Sequence, residues 1–375
     1  MNSLFYRRCW VEVDGRALRH NFNLLHRLVP RSTQVMAIVK ANGYGHGLVA
    51  VGRELQAIGA NWLGVANVAE GAALREAGVR LPILLLSATL PEEMEEVVHE
   101  TLTLTVSSWN EGKALDRIAR LLRKKAEVHF KIDTGMGRLG CWHPRAREEL
   151  SRLRQLPGLA VKGLYTHFAS ADDDPGFTRT QWKAVSPLFA ENSDLLCHAA
   201  NSPAVTRRYG FHANLVRLGL ALYGVPIDRR DGALGLRPAL TWKSRVSFIH
   251  EVDAGRTVSY GATYRLRKAE RHAVVAIGYG DGYFRLHSNI GHMLVRGHRC
   301  PIRGRVTMDQ VILDVTHVPG CRVGDEVVAI GQQRGGEITA GELAVEAKTI
   351  PWEILTNIGA RVPRAYHHFR SKQAA

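Results

Sequence analysis

The sequence predicts an α/β protein: an N-terminal (β/α)8, TIM-like barrel followed by a C-terminal, mainly β domain. Three observations predict it. The chain has 375 residues, beyond the usual single-domain range of roughly 50–250. Short apolar, β-branched runs alternate with segments of helical spacing through about the first 230 residues, and eight such units are the arithmetic of a closed barrel. Past Leu236-Arg237-Pro238 the helical spacing fades, and β-rich runs separated by glycine-containing turns replace it. The domains are read as 1–238 and 239–375. A doubly wound sheet is the alternative for the first, because spacing does not reveal closure.

The elements follow in order. A leading helix is predicted near 16–28. Strands are predicted at 35–39, 62–66, 82–86, 102–106, 128–132, 161–166, 195–198 and 215–218. Helices are predicted between them at 48–58, 68–77, 92–99, 111–122 and 146–153. In the second domain the β-rich runs are 240–248, 273–277, 293–295, 311–315 and 326–330. Helical signal returns only at Thr339-Ala340-Gly341-Glu342-Leu343-Ala344.

Composition narrows the function. Hydrophobic residues at 45% and charged residues at 23% suit a packed globular protein and exclude disordered, collagen and coiled-coil classes. No apolar run approaches the roughly 20 residues of a membrane helix; Ile83-Leu84-Leu85-Leu86 is strand-sized. The opening Met1-Asn2-Ser3-Leu4-Phe5-Tyr6-Arg7-Arg8 has no apolar leader core, so a cytoplasmic location is predicted, with no membrane partner. Five widely spaced cysteines without a Cys-x-x-Cys pair predict reduced thiols, no disulfide framework and no metal site. The net charge is +15, but the basic residues are scattered, so the reading is a solvated surface attractive to small anions and not a nucleic-acid partner.

One segment carries chemistry on its face. Val39-Lys40-Ala41-Asn42-Gly43-Tyr44-Gly45-His46-Gly47 follows the first predicted barrel strand. A lysine there stands on the C-terminal rim, where barrel active sites sit. The glycines allow close backbone approach, and their spacing is neither a dinucleotide fingerprint nor a phosphate loop. A surface lysine before a flexible turn would look the same.

The segment resembles the pyridoxal-phosphate lysine segment of the alanine racemases. Lys131-Ile132-Asp133-Thr134-Gly135-Met136-Gly137-Arg138-Leu139-Gly140 resembles a second signature of that family. Further matches are Tyr165-Thr166-His167-Phe168-Ala169, Ala200-Asn201-Ser202, Val216-Arg217-Leu218-Gly219 and Val258-Ser259-Tyr260-Gly261. Ile277-Gly278-Tyr279-Gly280-Asp281-Gly282 and Met308-Asp309-Gln310 complete them in family order, over essentially the whole chain.

The resemblance implies a pyridoxal 5'-phosphate enzyme, with Lys40 forming the Schiff base and serving as one catalytic base. Tyr260 matches the base on the opposite face. Tyr44, Ser202 and the amides of Gly219 and Leu220 match the phosphate cradle. Ser202 could also cap a helix beginning at Pro203, and Tyr44 could be a packing tyrosine. A free phenol ionises near pH 10, and His167 and Arg217 match the chain from phenol to pyridine nitrogen that favours its anion. Arginine cannot accept the pyridine proton, which suits a racemase and disfavours transamination.

Arg138 and the Met308 amide match substrate-carboxylate contacts. Lys131 matches a position that many family members carbamylate, while Tyr279 and Asp309 fall near the active-site entrance. The resemblance further implies a homodimer whose partner supplies Tyr260, an amino-acid substrate, and D-alanine biosynthesis for peptidoglycan precursors. One departure stands out. Where several members carry a pocket-narrowing tyrosine before Arg361-Val362-Pro363-Arg364, this chain has Ala360, with Tyr366 further on. A broader racemase that also accepts serine is therefore the alternative.

Overall fold

Eight short β-branched runs become a ring of parallel strands. The computed structural model describes residues 8–211, 213–227 and 233–370; apart from Arg8, the segment read for a leader lies outside them. After β1 (Cys9–Asp14), which belongs to the other sheet, the ring comprises β2 (Gln34–Ile38), β3 (Trp62–Val65), β4 (Ile83–Leu85), β5 (Leu104–Val106) and β6 (Ala126–Asp133). A two-residue extension, β7 (Cys141–Trp142), pairs with β6, and β8 (Leu159–Tyr165), β9 (Leu196–His198) and β10 (Leu215–Leu218) complete the ring.

The order is β4-β3-β2-β10-β9-β8-β6-β5. Its two ends meet through a parallel bridge at Leu84 and Thr103, with Leu85 N–H on the Thr103 carbonyl and Thr103 N–H on the Ile83 carbonyl, both at 2.9 Å. That closure selects the barrel over the doubly wound sheet. Strands enclosed on both faces need continuous apolar sequence, and β3 and β4 are buried at every residue. Fully burying each such Val, Leu or Ile contributes about 1.5–3 kcal/mol.

Helices Leu48–Ala57, Val68–Glu76, Met94–His99, Trp109–Leu121 and Ala146–Arg154 fall where the spacing predicted them. A longer one, Pro175–Glu191, was not predicted, because Pro187 interrupts its pattern and acidic residues precede it. Yet its start is well signalled. Asp174 caps it, accepting from Phe177 N–H at 2.9 Å, and Pro175 occupies the first turn.

The chain divides into two compact units. The barrel unit comprises Leu18–Gly43, Leu48–Leu236 and Arg370–Ala375; the second unit joins Met1–Ala17 and Tyr44–Gly47 to Arg237–Phe369. In the second, β11 (Leu240–Val252) is the spine. Register shifts at Trp242/Lys243 and Val246/Phe248 bend it, so it pairs with β1 near its start and with a later strand near its end.

The remaining strands are β12 (Thr257–Val258), β13 (Tyr264–Arg265), β14 (Glu270–Val275), β15 (His292–Val295), β16 (His298–Pro301), β17 (Val311–Asp314), β18 (Glu326–Gln333), β19 (Gly336–Ile338) and β20 (Arg364–His367). The main path runs β16-β15-β18-β11-β1-β20, and β14 links β11 to β17. β1 and β20 were not predicted. Each is one short strand at an extremity of the sequence, and they pair in parallel, Val13 opposite Tyr366.

Asp174→Ala removes the cap of the Pro175–Glu191 helix, and a loss of about 1 kcal/mol is expected. Urea unfolding followed by circular dichroism checks it; an unchanged midpoint would show that the cap contributes nothing.

Candidate active site

Parallel register lines up the barrel's polar residues. Lys131 on β6 lies opposite Tyr165 on β8, which lies opposite His198 on β9. Arg217 projects from the neighbouring β10 and is only 3% exposed. A buried charge must find acceptors. Arg217 Nη1 donates to His198 Nδ1 at 2.7 Å. Its Nη2 donates to the carbonyls of Thr166 and Ala199, both at 2.9 Å, and to His167 Nδ1 at 3.0 Å. None of these bonds uses Nε.

A guanidinium has donors only, so both imidazoles accept at Nδ1 and carry their proton on Nε2. His198 then donates from Nε2 to His129 Nδ1 at 2.8 Å. Burial and the Arg217 charge hold His167 and His198 well below the ordinary imidazole range, and bring His129 down to about 3. All three are neutral at physiological pH. Gly163 makes the room, since a Cβ there would lie 2.7 Å from the His129 ring. Tyr165 stacks on His198 with centroids 4.6 Å apart, and Lys131 Nζ lies 4.6 Å over its ring. Its hydroxyl donates to Thr105 Oγ1 at 2.6 Å, and Thr105 donates onward to the Leu85 carbonyl at 2.6 Å.

Lys40 stands where β2 gives way to a left-handed run: Ala41 (φ 52°), Asn42 (φ 54°), Gly43 (φ 61°) and Tyr44 (φ 52°). That conformation costs residues with a Cβ about 1–2 kcal/mol each. Glu70 holds it. Its carboxylate accepts from Ala41 N–H at 2.6 Å and from Ala66 N–H at 2.8 Å, while Asn42 Oδ1 accepts from Leu48 N–H at 2.9 Å. Burial and the Arg138 charge lower the Lys40 pKa, with Glu70 opposing.

Asp133 accepts from the N–H groups of Gly135 and Met136, both at 2.9 Å, and so fixes the loop that carries Arg138. Burial, Arg217 and Arg138 bring Lys131 down to about 7, against the pull of Asp133. Lys40, Lys131, Arg138 and Arg217 therefore share one field, opposed by Glu70 and Asp133. Such a field attracts anions.

Ser202 does not cap its helix. Asn201 does, accepting from Ala204 N–H at 3.2 Å. Ser202 Oγ instead accepts from Gly219 N–H at 2.8 Å, beside the turn that begins at Leu220. Hydroxyl and amides thus form a corner suited to phosphate.

Tyr44 belongs to the second unit, where burial raises its pKa and keeps it a phenol. The adjoining turn is pinned to β20: Arg364 Nε donates to the Gly45 carbonyl at 3.1 Å, and the Tyr366 hydroxyl occupies the space beside Gly47 that a Cβ would need. Tyr366 is half-buried there, and Ala360 is exposed.

Tyr260 is 71% exposed, in the tight turn Tyr260–Ala262 between β12 and β13. Met308 and Asp309 come together around Arg361. Its Nη2 donates to Asp309 Oδ1 at 2.8 Å and the Met308 carbonyl at 3.3 Å, and its Nε to Asp281 Oδ1 at 2.8 Å. Tyr279 N–H donates to the Thr307 carbonyl at 3.0 Å.

Residues 13–226 match the family model for the alanine racemase N-terminal domain, and residues 239–366 match that for the C-terminal domain. The chain belongs to the alanine racemase family. It is 43% identical to an alanine racemase of Methylacidiphilum infernorum, over 97% of this chain and 94% of that one. Identity is 44% to one from Symbiobacterium thermophilum, over 96% and 97%. Among solved structures, alanine racemase of Clostridium difficile superposes with a TM-score of 0.91 at 35% identity, covering 96% of each chain. That of Bacillus anthracis with bound L-Ala-P gives 0.89 at 34%, covering 97% and 96%.

Alanine racemases are pyridoxal-phosphate-dependent isomerases. The donor set fits that group: an amine of lowered pKa, a hydroxyl–amide corner and a surplus of cations. Several functional residues escaped sequence reading. Glu70 was signalled by the helix-start spacing Asn67-x-x-Glu70. Gln181 donates to Thr134 Oγ1 and the His167 carbonyl, both at 3.2 Å, from the unpredicted helix. His198 and His129 read as strand residues, and Arg361 only as the residue that follows Ala360.

Lys131 makes stability pH-dependent. The unfolded chain binds its proton below about 10.5, whereas the folded chain resists until about 7, so stability rises with pH between those values. Lys131→Met is expected to flatten that rise in carbon dioxide-free buffer, read as the thermal midpoint from pH 7 to 10. An identical slope in both proteins would contradict the burial of a neutral amine.

Proposed function

We propose that this protein interconverts L- and D-alanine with pyridoxal phosphate, moving the Cα proton between Lys40 on one face and Tyr260 on the other. The observation that carries the reading is Arg217, a permanent cation clamped by two neutral imidazoles and two carbonyls. When bound, pyridoxal phosphate supplies an aldehyde for the amine and a ring that acidifies Cα. Lys40, with its lowered pKa, holds or releases a proton at Nζ. His167, protonated at Nε2, is the donor for the Tyr260 phenolate, and Arg217 keeps it in that tautomer. Arg217 Nε would meet the pyridine nitrogen as a donor and leaves it unprotonated.

Ser202 and the Leu220 amide would hold phosphate, joined by Tyr44, with the Gly219 N–H exchanging its Ser202 acceptor for a phosphate oxygen. Arg138 and the Met308 N–H orient the substrate carboxylate, and Tyr279 and Asp309 line the approach. Neutral Lys131 is suited to add carbon dioxide, forming an N–C bond and releasing one proton; the resulting carbamate balances Arg138. Tyr260, Tyr279 and Met308 are all more than a third exposed, which supports a homodimer in which each copy completes the other's site. No described helix is long and apolar enough to cross a membrane; we place the enzyme in the cytoplasm, supplying D-alanine for peptidoglycan precursors.

Borohydride reduction of the holoenzyme, followed by peptide mapping, should leave the pyridoxyl group on Lys40, in a protein that forms D-alanine from L-alanine. Label on Lys131 or Lys162 would overturn the assignment. Tyr260→Phe should reduce racemisation about 10²–10⁴-fold with cofactor retained; mixing it with Lys40→Ala should restore activity, and no recovery after verified subunit exchange would reject the shared site.

Arg217→Glu supplies a proton acceptor, and slower racemisation with more pyruvate per turnover is expected. An unchanged partition would mean that Arg217 does not meet the ring.

A further inference from the structure

The turn that presents Tyr260 has a backbone its sequence resists. Ser259 adopts φ 61° and ψ −175°, a region that glycine occupies almost alone. Gly261 (φ 72°) and Ala262 (φ 47°) follow on the left-handed side. Exposed turns do not hold such angles unless something imposes them.

Three attachments impose them. Ser259 Oγ donates to the Arg305 carbonyl at 2.7 Å. Asn289 Nδ2 donates to Thr263 Oγ1 at 3.1 Å, and its Oδ1 accepts from Gly304 N–H at 2.6 Å. The Tyr264 hydroxyl donates to Glu270 Oε1 at 2.6 Å.

The third leads into a buried cluster. Glu270 is 3% exposed, with His272 Nε2 at 2.8 Å from its other oxygen and Arg303 Nε at 3.4 Å. Arg303 also pairs with Asp314 at 2.8 Å and lies 4.6 Å over the Tyr264 ring. Burial and Glu270 push the Tyr264 phenol up to about 12, so it stays a donor. Its ring packs on the small core of Val252, Val258 and Leu266. β12 and β13 are two residues each, with Val258 opposite Tyr264. The hairpin is too short to fix its own turn, so these side chains must do it.

We propose that Tyr264, anchored on the buried Glu270 and Arg303, and Ser259, anchored on the Arg305 carbonyl, are positioning residues that aim the Tyr260 phenol at the reacting carbon. The inference rests on the reading of Tyr260 as the proton carrier for one face. Neither residue touches substrate; both act through the turn. Misplacing a reacting group by a fraction of a residue's width costs on the order of tenfold to hundredfold in rate, and only on the Tyr260 face. Exchange carried by Lys40 alone is untouched.

The test uses holoenzyme in D2O and follows two rates: racemisation, and deuterium entry at Cα without inversion on the enantiomer that Lys40 serves. For Tyr264→Phe, which keeps the ring and its packing, the ratio of non-inverting exchange to racemisation is expected to rise about tenfold or more. Ser259→Gly should shift the ratio the same way while its thermal midpoint holds or rises, because glycine adopts that backbone without strain. A merely structural role would lower both rates together with the midpoint. Ratios within about threefold of the parent in both variants would overturn the inference. Should Tyr264→Phe fail to fold, Ser259→Gly decides alone. Tyr260→Phe separates the two levels: if it racemises like the parent, the reading of Tyr260 and this inference fall together. If it is inactive while both positioning variants keep the parent's ratio, only the inference falls.

Discussion

The barrel end is organised by one buried guanidinium. Arg217 cannot give up its charge at any physiological pH: burial, opposed by Tyr165, brings it down only to about 10. Everything around it adjusts. Two imidazoles accept from it and are thereby fixed as neutral, Nε2-protonated tautomers, and a third takes its tautomer from the second. Lys131, which like Arg217 lies over the Tyr165 ring, yields its proton more readily because Arg217 is there. One residue thus sets the protonation states of four others.

The barrel end holds more positive charge than its own carboxylates neutralise. Such an arrangement weakens the empty protein and rewards an anionic occupant. A left-handed run of four residues beside Lys40 adds backbone strain, and Glu70 restrains both effects: it binds the strained amides and partly offsets the lysine's field. Its carboxylate does two jobs from the first turn of one helix, where the helix field also favours its negative charge.

Much of this was legible in the sequence. The eight barrel strands follow directly from β-branched runs, because enclosed parallel strands need apolar residues on both faces and little else does. Lys40, His167 and Arg217 were legible because each ends or occupies such a strand within a recognisable segment. Closure was not legible, since it depends on the Leu84–Thr103 bridge. The Pro175–Glu191 helix was hidden by Pro187, although Asp174 and Pro175 announce its start. Ser202 looked like a cap because the true cap, Asn201, stands immediately before it and has the same chemistry. Gln181 and His198 were missed because their partners are distant in sequence, so no local pattern marks them; Asn67-x-x-Glu70 marks a helix start, but not the hold of Glu70 on the distant Ala41 N–H.

The place of β1 has a consequence for how the chain is made. It lies inside the second sheet, between β11 and β20, and its antiparallel partner in β11 comes about 230 residues later. At synthesis rates of roughly 5–20 residues per second, β1 waits roughly ten to fifty seconds for that partner. During that time Trp10, Val11 and Val13, all buried in the finished protein, have no sheet to enter. The barrel, built from contacts between successive units, can form first. The sheet built on β11 closes last, by capturing a strand made long before its partners, and a nascent protein short of β20 has an apolar strand with one edge still unpaired.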